Sequence, residues 1–234
     1  MELTRIIGDV HGLANDYRRL INQRPSNVFK TIQLGDMGVG FGQSDYWQES
    51  LNQNMINTNS YFIRGNHDHP DTCKLHMSNY IDNGLCFNDC FAVNGAWSID
   101  NPNAPPGWWA RTEGVNWWPD EECSVAELIE VVNEYSAVLP RIMITHDCPR
   151  QVASEMFFKT GFIKGPEYPT RTAQALQSMS EIHQPAFHFF GHWHKSMMYV
   201  RGKTTYVCLN ELDYIDIELD DDDQIQDAIT KKFA

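Results

Sequence analysis

The stretch TRIIGDVHG, residues 4–12, decides how the rest of the chain is read. A short apolar run breaks at Gly8 and delivers Asp9 and His11 at its end. The same pattern returns in TIQLGDMG (31–38), YFIRGNHD (61–68), RIMITHD (141–147) and FHFFGHWH (187–194). Each run has the length of a buried strand. Residues just past the carboxyl end of a strand in an open α/β sheet lie where ligands bind. The residues brought there are Asp9, His11, Asp36, Asn66, His67, His146, His192 and His194. Glycine stands at four of the breaks (Gly8, Gly35, Gly65, Gly191), where it permits a sharp turn and close backbone approach. In Asp9-Val10-His11 and His192-Trp193-His194 one residue separates two ligand-type side chains, so extended or turn backbone points both the same way.

The ligand count narrows the chemistry. Two carboxylates (Asp9, Asp36), one amide oxygen (Asn66) and four imidazoles (His11, His146, His192, His194) are too many for a single ion. They suit two borderline divalent ions that share a bridging carboxylate. A lone Gly-Asp is common, and a single buried histidine more often packs than ligates. Five such endings in one chain make packing alone an improbable explanation.

Around these endings strands and helices alternate. Strands are expected at 3–7, 28–34, 61–64, 85–87, 91–99, 141–145 and 186–190, with helices at 13–22 (Leu13, Tyr17, Leu20 and Ile21 on one face), 44–57, 124–135 and 171–183 and a short one after His69-Pro70. Ser44 and Ser124 are placed to cap two of the helices, and a meander is expected through 196–201, 204–209 and 214–219. Helix-linked strands succeeded by hairpin-linked ones predict two mixed sheets with helices outside. With no internal repeat or flexible linker, residues 1–234 are expected to form one domain. It carries a Trp/Pro/Gly-rich insertion at about 97–123 and an acidic segment from about 211.

Taken in order, GDVHG, GD, GNHD, a lone His after a strand and GHWH resemble the calcineurin-like metallophosphoesterases across residues 8–194. The resemblance implies a four-layer α/β/β/α sandwich with a dinuclear centre at the strands' carboxyl ends. It implies that Asp9, His11 and His194 hold one ion, that Asn66, His146 and His192 hold the other, and that Asp36 bridges them. His67 would be the non-ligating histidine that faces the leaving group. A water between two such ions is acidified toward neutrality, so a metal-bridging hydroxide would attack phosphorus while His67 assists the departing oxygen. Manganese is the favoured metal on this likeness, and iron, zinc, cobalt or nickel would also suit the mixed ligands.

One departure from the family pattern bears on substrate. The protein Ser/Thr phosphatases of the superfamily carry GDxVDRG as second motif, whereas this chain has GDMGVGFG, with Val39 for the second Asp and Gly40 for the Arg. Loss of a phosphate-gripping Arg costs a dianionic monoester more than a monoanionic diester. A phosphodiesterase is therefore the leading expectation, with a phosphomonoesterase or protein phosphatase as the alternative and a non-catalytic metal-binding module behind both. With Val39 in place of the orienting carboxylate, Asp68 is the candidate to orient His67. Asn66 and His67 are also expected to contact substrate.

Five of the seven tryptophans (Trp97, Trp108, Trp109, Trp117, Trp118) fall in the insertion, together with Arg111. Packing on the sandwich is the plainer reading of these rings. The sharper one is a lid offering an aromatic face to a base and Arg111 to a phosphate. His188 is read as a packed strand residue, His69 and His76 as surface residues, and Asp220–Asp223 as a solvated, frayed segment without calcium-loop spacing.

Composition sets the outer limits. A 42% hydrophobic, 21% charged chain is of globular type. Six scattered cysteines without a CxxC read as reduced thiols. No leader pattern and no apolar run long enough to span a bilayer are visible, so a cytoplasmic protein without a membrane role is expected. The net charge of −13, from 18 basic and 31 acidic side chains, argues against gripping duplex nucleic acid. Residues 211–234 hold nine acidic and two basic side chains, over half of that excess. A small or single-stranded phosphodiester therefore remains compatible with it.

Overall fold

A computed structural model describes residues 2–42, 45–87, 90–103, 110–163, 167 and 169–233. The order is β1 (Leu3–Ile7), α1 (Ala14–Asn22), β2 (Val28–Gln33), α2 (Asp45–Asn57), β3 (Ser60–Phe62), α3 (Pro70–His76), β4 (Gly84–Leu85) and β5 (Cys90–Val93). Then come α4 (Val125–Val138), β6 (Ile142–Thr145), α5 (Arg150–Ala153) running into a π turn, α6 (Arg171–Ile182), β7 (Phe187–Phe190), β8 (Met197–Arg201), β9 (Thr204–Cys208), β10 (Tyr214–Ile217) and α7 (Asp222–Phe233).

Two sheets form, β10-β1-β2-β3 and β4-β5-β6-β7-β9-β8. In the first, β1, β2 and β3 run parallel and β10 is antiparallel to β1. In the second, β5, β6, β7 and β9 run parallel, with β4 and β8 antiparallel at the edges. Parallel strands put all their carboxyl ends at one edge. That is why residues far apart in the chain meet there.

Strand alternation sorts the apolar residues into layers. Ile6, Ile32 and Ile63 of the first sheet pack against Ala92, Ile144, Phe189 and Val207 of the second. Ile7 and Phe62 face outward onto Tyr17, Ile21, Leu51 and Met55 of α1 and α2. Phe91 and Met143 face outward onto Val131, Tyr135, Leu176 and Met179 of α4 and α6. The order of layers is thus α/β/β/α. Each fully buried side chain of this kind contributes about 1.5–3 kcal/mol.

Several local expectations shift. Ser124 caps α4 through a capping box with Glu127, but Ser44 lies outside the described residues. Leu13 precedes α1 and is exposed rather than on its buried face. The strand expected to reach residue 99 ends at Val93, two residues before Gly95 takes left-handed backbone at φ 82°. The expected meander is broken, since β10 leaves β9 and joins β1 in the other sheet. The acidic run is exposed, as expected, but it is not frayed. It opens α7, where Asp222 and Asp223 occupy the first turn and complement the helix dipole. Ile225 and Ile229 of α7 then reach the core between the sheets.

Candidate metal centre

The loops leaving β1, β2, β3, β6 and β7 meet at one point. Asp9, His11, Asp36 and His194 each offer one ligand atom within 4.8 Å of all the others. In this outer group His11 Nε2 lies 2.8 Å from His194 Nε2. Asp9 Oδ2 is 3.5 Å from His11 Nε2 and 3.4 Å from His194 Nε2. A second, inner group centres on Asn66 Oδ1, which lies 3.1 Å from both His146 Nε2 and His192 Nδ1. Asp36 stands between them, with Oδ1 3.3 Å from His146 Nε2 and Oδ2 3.4 Å from His11 Nε2.

Local backbone explains the convergence. His11, Asp36, His192 and His194 all adopt left-handed backbone with φ between 46° and 65°. Non-glycine residues sit there at a cost, and such positions cluster at functional sites. The pairs at 9/11 and 192/194 therefore converge through strained turns, not through plain strand alternation. Two glycines are required by closeness. A Cβ on Gly191 would stand 2.0 Å from Asp9 Oδ1, and one on Gly65 would stand 2.1 Å from Asp36 Oδ1.

The charges are arranged for cations. Burial alone would raise the Asp9 pKa, but hydrogen bonds from His11 and His194 hold it down to about 2. Asp36, also opposed by burial, is kept well below the usual range chiefly by His146 and His67. Against burial, the neighbouring carboxylates push His11 up to about 9 and His146 up to about 10. His11 and His146 thus take the positive charge that offsets the two buried carboxylates, a charge that a bound cation would supply instead, while burial pulls the His192 pKa down to about 3. Three further features fit a cation: facing imidazole nitrogens, an inward amide oxygen, and His146 Nδ1 donating to the Leu34 carbonyl at 2.7 Å, which leaves Nε2 free to ligate. The residues present fit two divalent ions.

The sequence pattern of the Calcineurin-like phosphoesterase family matches residues 4–196. The chain belongs to that family. Among solved structures, TT1561 of Thermus thermophilus is similar at 10% identity with a TM-score of 0.55, covering 93% of this chain and 94% of the other. Phosphopantetheinyl hydrolase from Mycobacterium tuberculosis is similar at 14% identity with a TM-score of 0.51, covering 90% of each chain. At such identities the likeness shows the calcineurin-like fold alone. No curated protein matches the sequence. Among the described residues, no helix is long and apolar enough to cross a membrane.

The other residues expected at the site of this calcineurin-like phosphoesterase have varied placements. The His67 backbone N–H donates to Asp36 Oδ1 at 2.7 Å, and its ring Nε2 lies 4.0 Å from Asp36 Oδ2. Its ring packs between His11 and Phe41, and burial pulls its pKa down to about 4. Asp68 has different partners from those expected. It is fully buried and accepts from the N–H groups of Met37, Gly38, Val39 and Gly65, tying the second motif loop to the third. Both of its oxygens are engaged in this way by the backbone of two loops. Arg111 is 3% exposed and paired with Asp100 through Nε and Nη2, and its Nη1 donates to the Asn66 carbonyl at 3.3 Å. It braces the Asn66 backbone with its charge already offset.

Trp118 is buried against Phe41 and His69, in keeping with the packing reading, while Trp108 and Trp109 lie outside the described residues. His188 is buried and bonded to Thr145. His69 is half-buried at the start of α3 with Nδ1 2.6 Å from Thr72 Oγ1, and His76 is exposed. Three residues at the site escaped the sequence reading. Ser98 and Glu121 stand behind Asn66, and Glu211 sits at the rim, 3.9 Å from His11 Nε2 and 3.8 Å from His194 Nδ1. The polar residues set among the tryptophans (Ser98, Asp100, Arg111, Glu121) were the available signal for the first two.

Proposed function

We propose that this metal-dependent phosphoesterase hydrolyses phosphodiesters, small or single-stranded, at a dinuclear centre favouring manganese. Asp9, His11 and His194 would hold the outer ion, Asn66, His146 and His192 the inner one, and Asp36 would touch both. Such ions supply Lewis-acid chemistry, drawing charge from the phosphoryl oxygens and acidifying water.

The protein's own residues do the rest. The Asp36 carboxylate is fixed by the His67 backbone N–H, which ties the bridging carboxylate to the main chain that carries the leaving-group histidine. The lowered pKa makes the His67 ring neutral near pH 7, and a neutral imidazole can still donate one N–H to a departing oxygen. The buried Asp68 keeps the two loops in register beneath it.

The preference for a diester rests on one observation. Val39 is wholly buried, and a Cβ on Gly40 would stand 2.5 Å from His69 Cβ. No guanidinium can stand at those two positions. Arg111 does not replace it, being bonded to Asp100. A monoester dianion would therefore lose a counter-charge that a diester monoanion does not need. With manganese added, bis(p-nitrophenyl) phosphate should show a higher kcat/KM than p-nitrophenyl phosphate. A tenfold advantage for the monoester would overturn the preference, and activity on neither despite two bound ions would favour a binding module.

A further inference from the structure

We propose that Ser98 and Glu121 are positioning residues for the inner half of the centre, acting as a carboxylate–hydroxyl–amide chain that fixes which face of Asn66 meets the cation. The inference rests on Asn66 being a metal-holding residue.

The need for such a device comes from the amide itself. Its oxygen and its NH2 group are nearly the same size, and only the oxygen can hold a cation. A cation is received by deprotonated ligands, so His146 Nε2 and His192 Nδ1 must then turn lone pairs inward. Against two lone pairs an inward NH2 would donate hydrogen bonds and fill the space. The wrong face of Asn66 is thus a competitor of the metal.

The chain behind Asn66 removes that competitor. Asn66 Nδ2 donates to Ser98 Oγ at 2.9 Å, and Ser98 Oγ donates to Glu121 Oε2 at 2.5 Å. Glu121 Oε1 accepts from the Ser98 backbone N–H at 2.8 Å, so both carboxylate oxygens are engaged by one residue. A hydroxyl has a single proton. Burial raises the Glu121 pKa to about 7, so above that pH the ionised carboxylate claims it, and Ser98 can then offer Asn66 only a lone pair. An overturned amide would set oxygen against oxygen among three buried residues. Glu121 is itself held in place, since Arg64 Nη1 donates to its carbonyl at 2.7 Å and Gly95 makes room for that carbonyl. Arg111 adds a hold on the Asn66 backbone from the same insertion.

The test is calorimetric titration of the metal-free full-length protein with Mn²⁺, with folding checked by circular dichroism. Glu121→Gln can donate to Ser98 and so free its proton for an overturned amide. It should weaken the inner affinity by about 10–100-fold and leave the outer one unchanged. Ser98→Ala, which deletes the hydroxyl without adding bulk, makes an independent second cut. In an Asn66→Asp background, where either face presents oxygen, Glu121→Gln should cost nothing. A packing role would cost the same in both backgrounds. Equal losses in both, or no loss from Glu121→Gln and Ser98→Ala in the wild-type background, overturn the chain. Unaltered binding of both ions by Asn66→Ala overturns Asn66 as a metal holder, and the proposal with it.

Discussion

His146 and His194 are both imidazoles delivered by strand ends, yet the first is sealed from solvent while the side chain of the second is 47% exposed. The contrast extends to their neighbours. Inner residues are backed by a second layer: Leu34 behind His146, and Ser98 with Glu121 behind Asn66. Of the outer residues, His11 and His194 stand on left-handed turns with the Glu211 carboxylate 3.9 and 3.8 Å away, while the buried Asp9 is held by the His192 backbone N–H. Similar donor atoms are thus given unequal support, and support decides how tightly an ion is held.

The largest expected effect lies in breaking the two halves separately. His146→Ala should remove the inner ion and abolish turnover even in excess Mn²⁺, whereas His194→Ala should lose activity that excess Mn²⁺ restores. Elemental analysis of dialysed protein, then assay across a Mn²⁺ series, checks this. Equal rescue of both variants would erase the distinction.

His67→Ala comes next. Loss of leaving-group assistance should lower kcat by about 10²–10⁴-fold while both ions remain, because His67 sits beside Asp36 and is not counted among the holders. A parallel fall in metal content would show that His67 serves the centre itself.

The smallest effect lies away from both halves. His188 is buried, and its pKa is lowered to about 3 from 6.5. As pH falls below 6.5 the unfolded chain takes up a proton that the folded one refuses, so stability declines from there toward pH 3. The slope from one group is at most about 1.4 kcal/mol per pH unit. His188→Gln, which keeps an N–H for Thr145 but does not titrate, should flatten the fall in urea midpoint between pH 6.5 and 4. An unchanged slope would assign the acid sensitivity elsewhere.

What could be read from the sequence divides along the same line. The strand ends were legible because an apolar run, a glycine and a ligand are all local signals. The parallel sheets then brought Asp9, Asp36, Asn66, His146 and His192 together without further information. The second layer was not legible, since Ser98 and Asn66 are 32 residues apart and meet only after folding. The partners of Asp68 were hidden for a related reason. Adjacency in sequence to His67 suggested an orienting role, whereas four backbone N–H groups from two loops meet the buried carboxylate only after folding. The crossing of β10 to the other sheet was hidden because its length fits a hairpin equally well. The acidic start of α7 masked an amphipathic helix whose buried residues are only Ile225 and Ile229.

A dinuclear centre with halves of unequal tightness is decided by Mn²⁺ titration of the metal-free protein, read by calorimetry and electron paramagnetic resonance together. Two ions per chain should bind in two resolved steps, with a spin-coupled signal once the second is in place. A single ion per chain, or two that bind with equal affinity and show no coupling, would rule such a centre out.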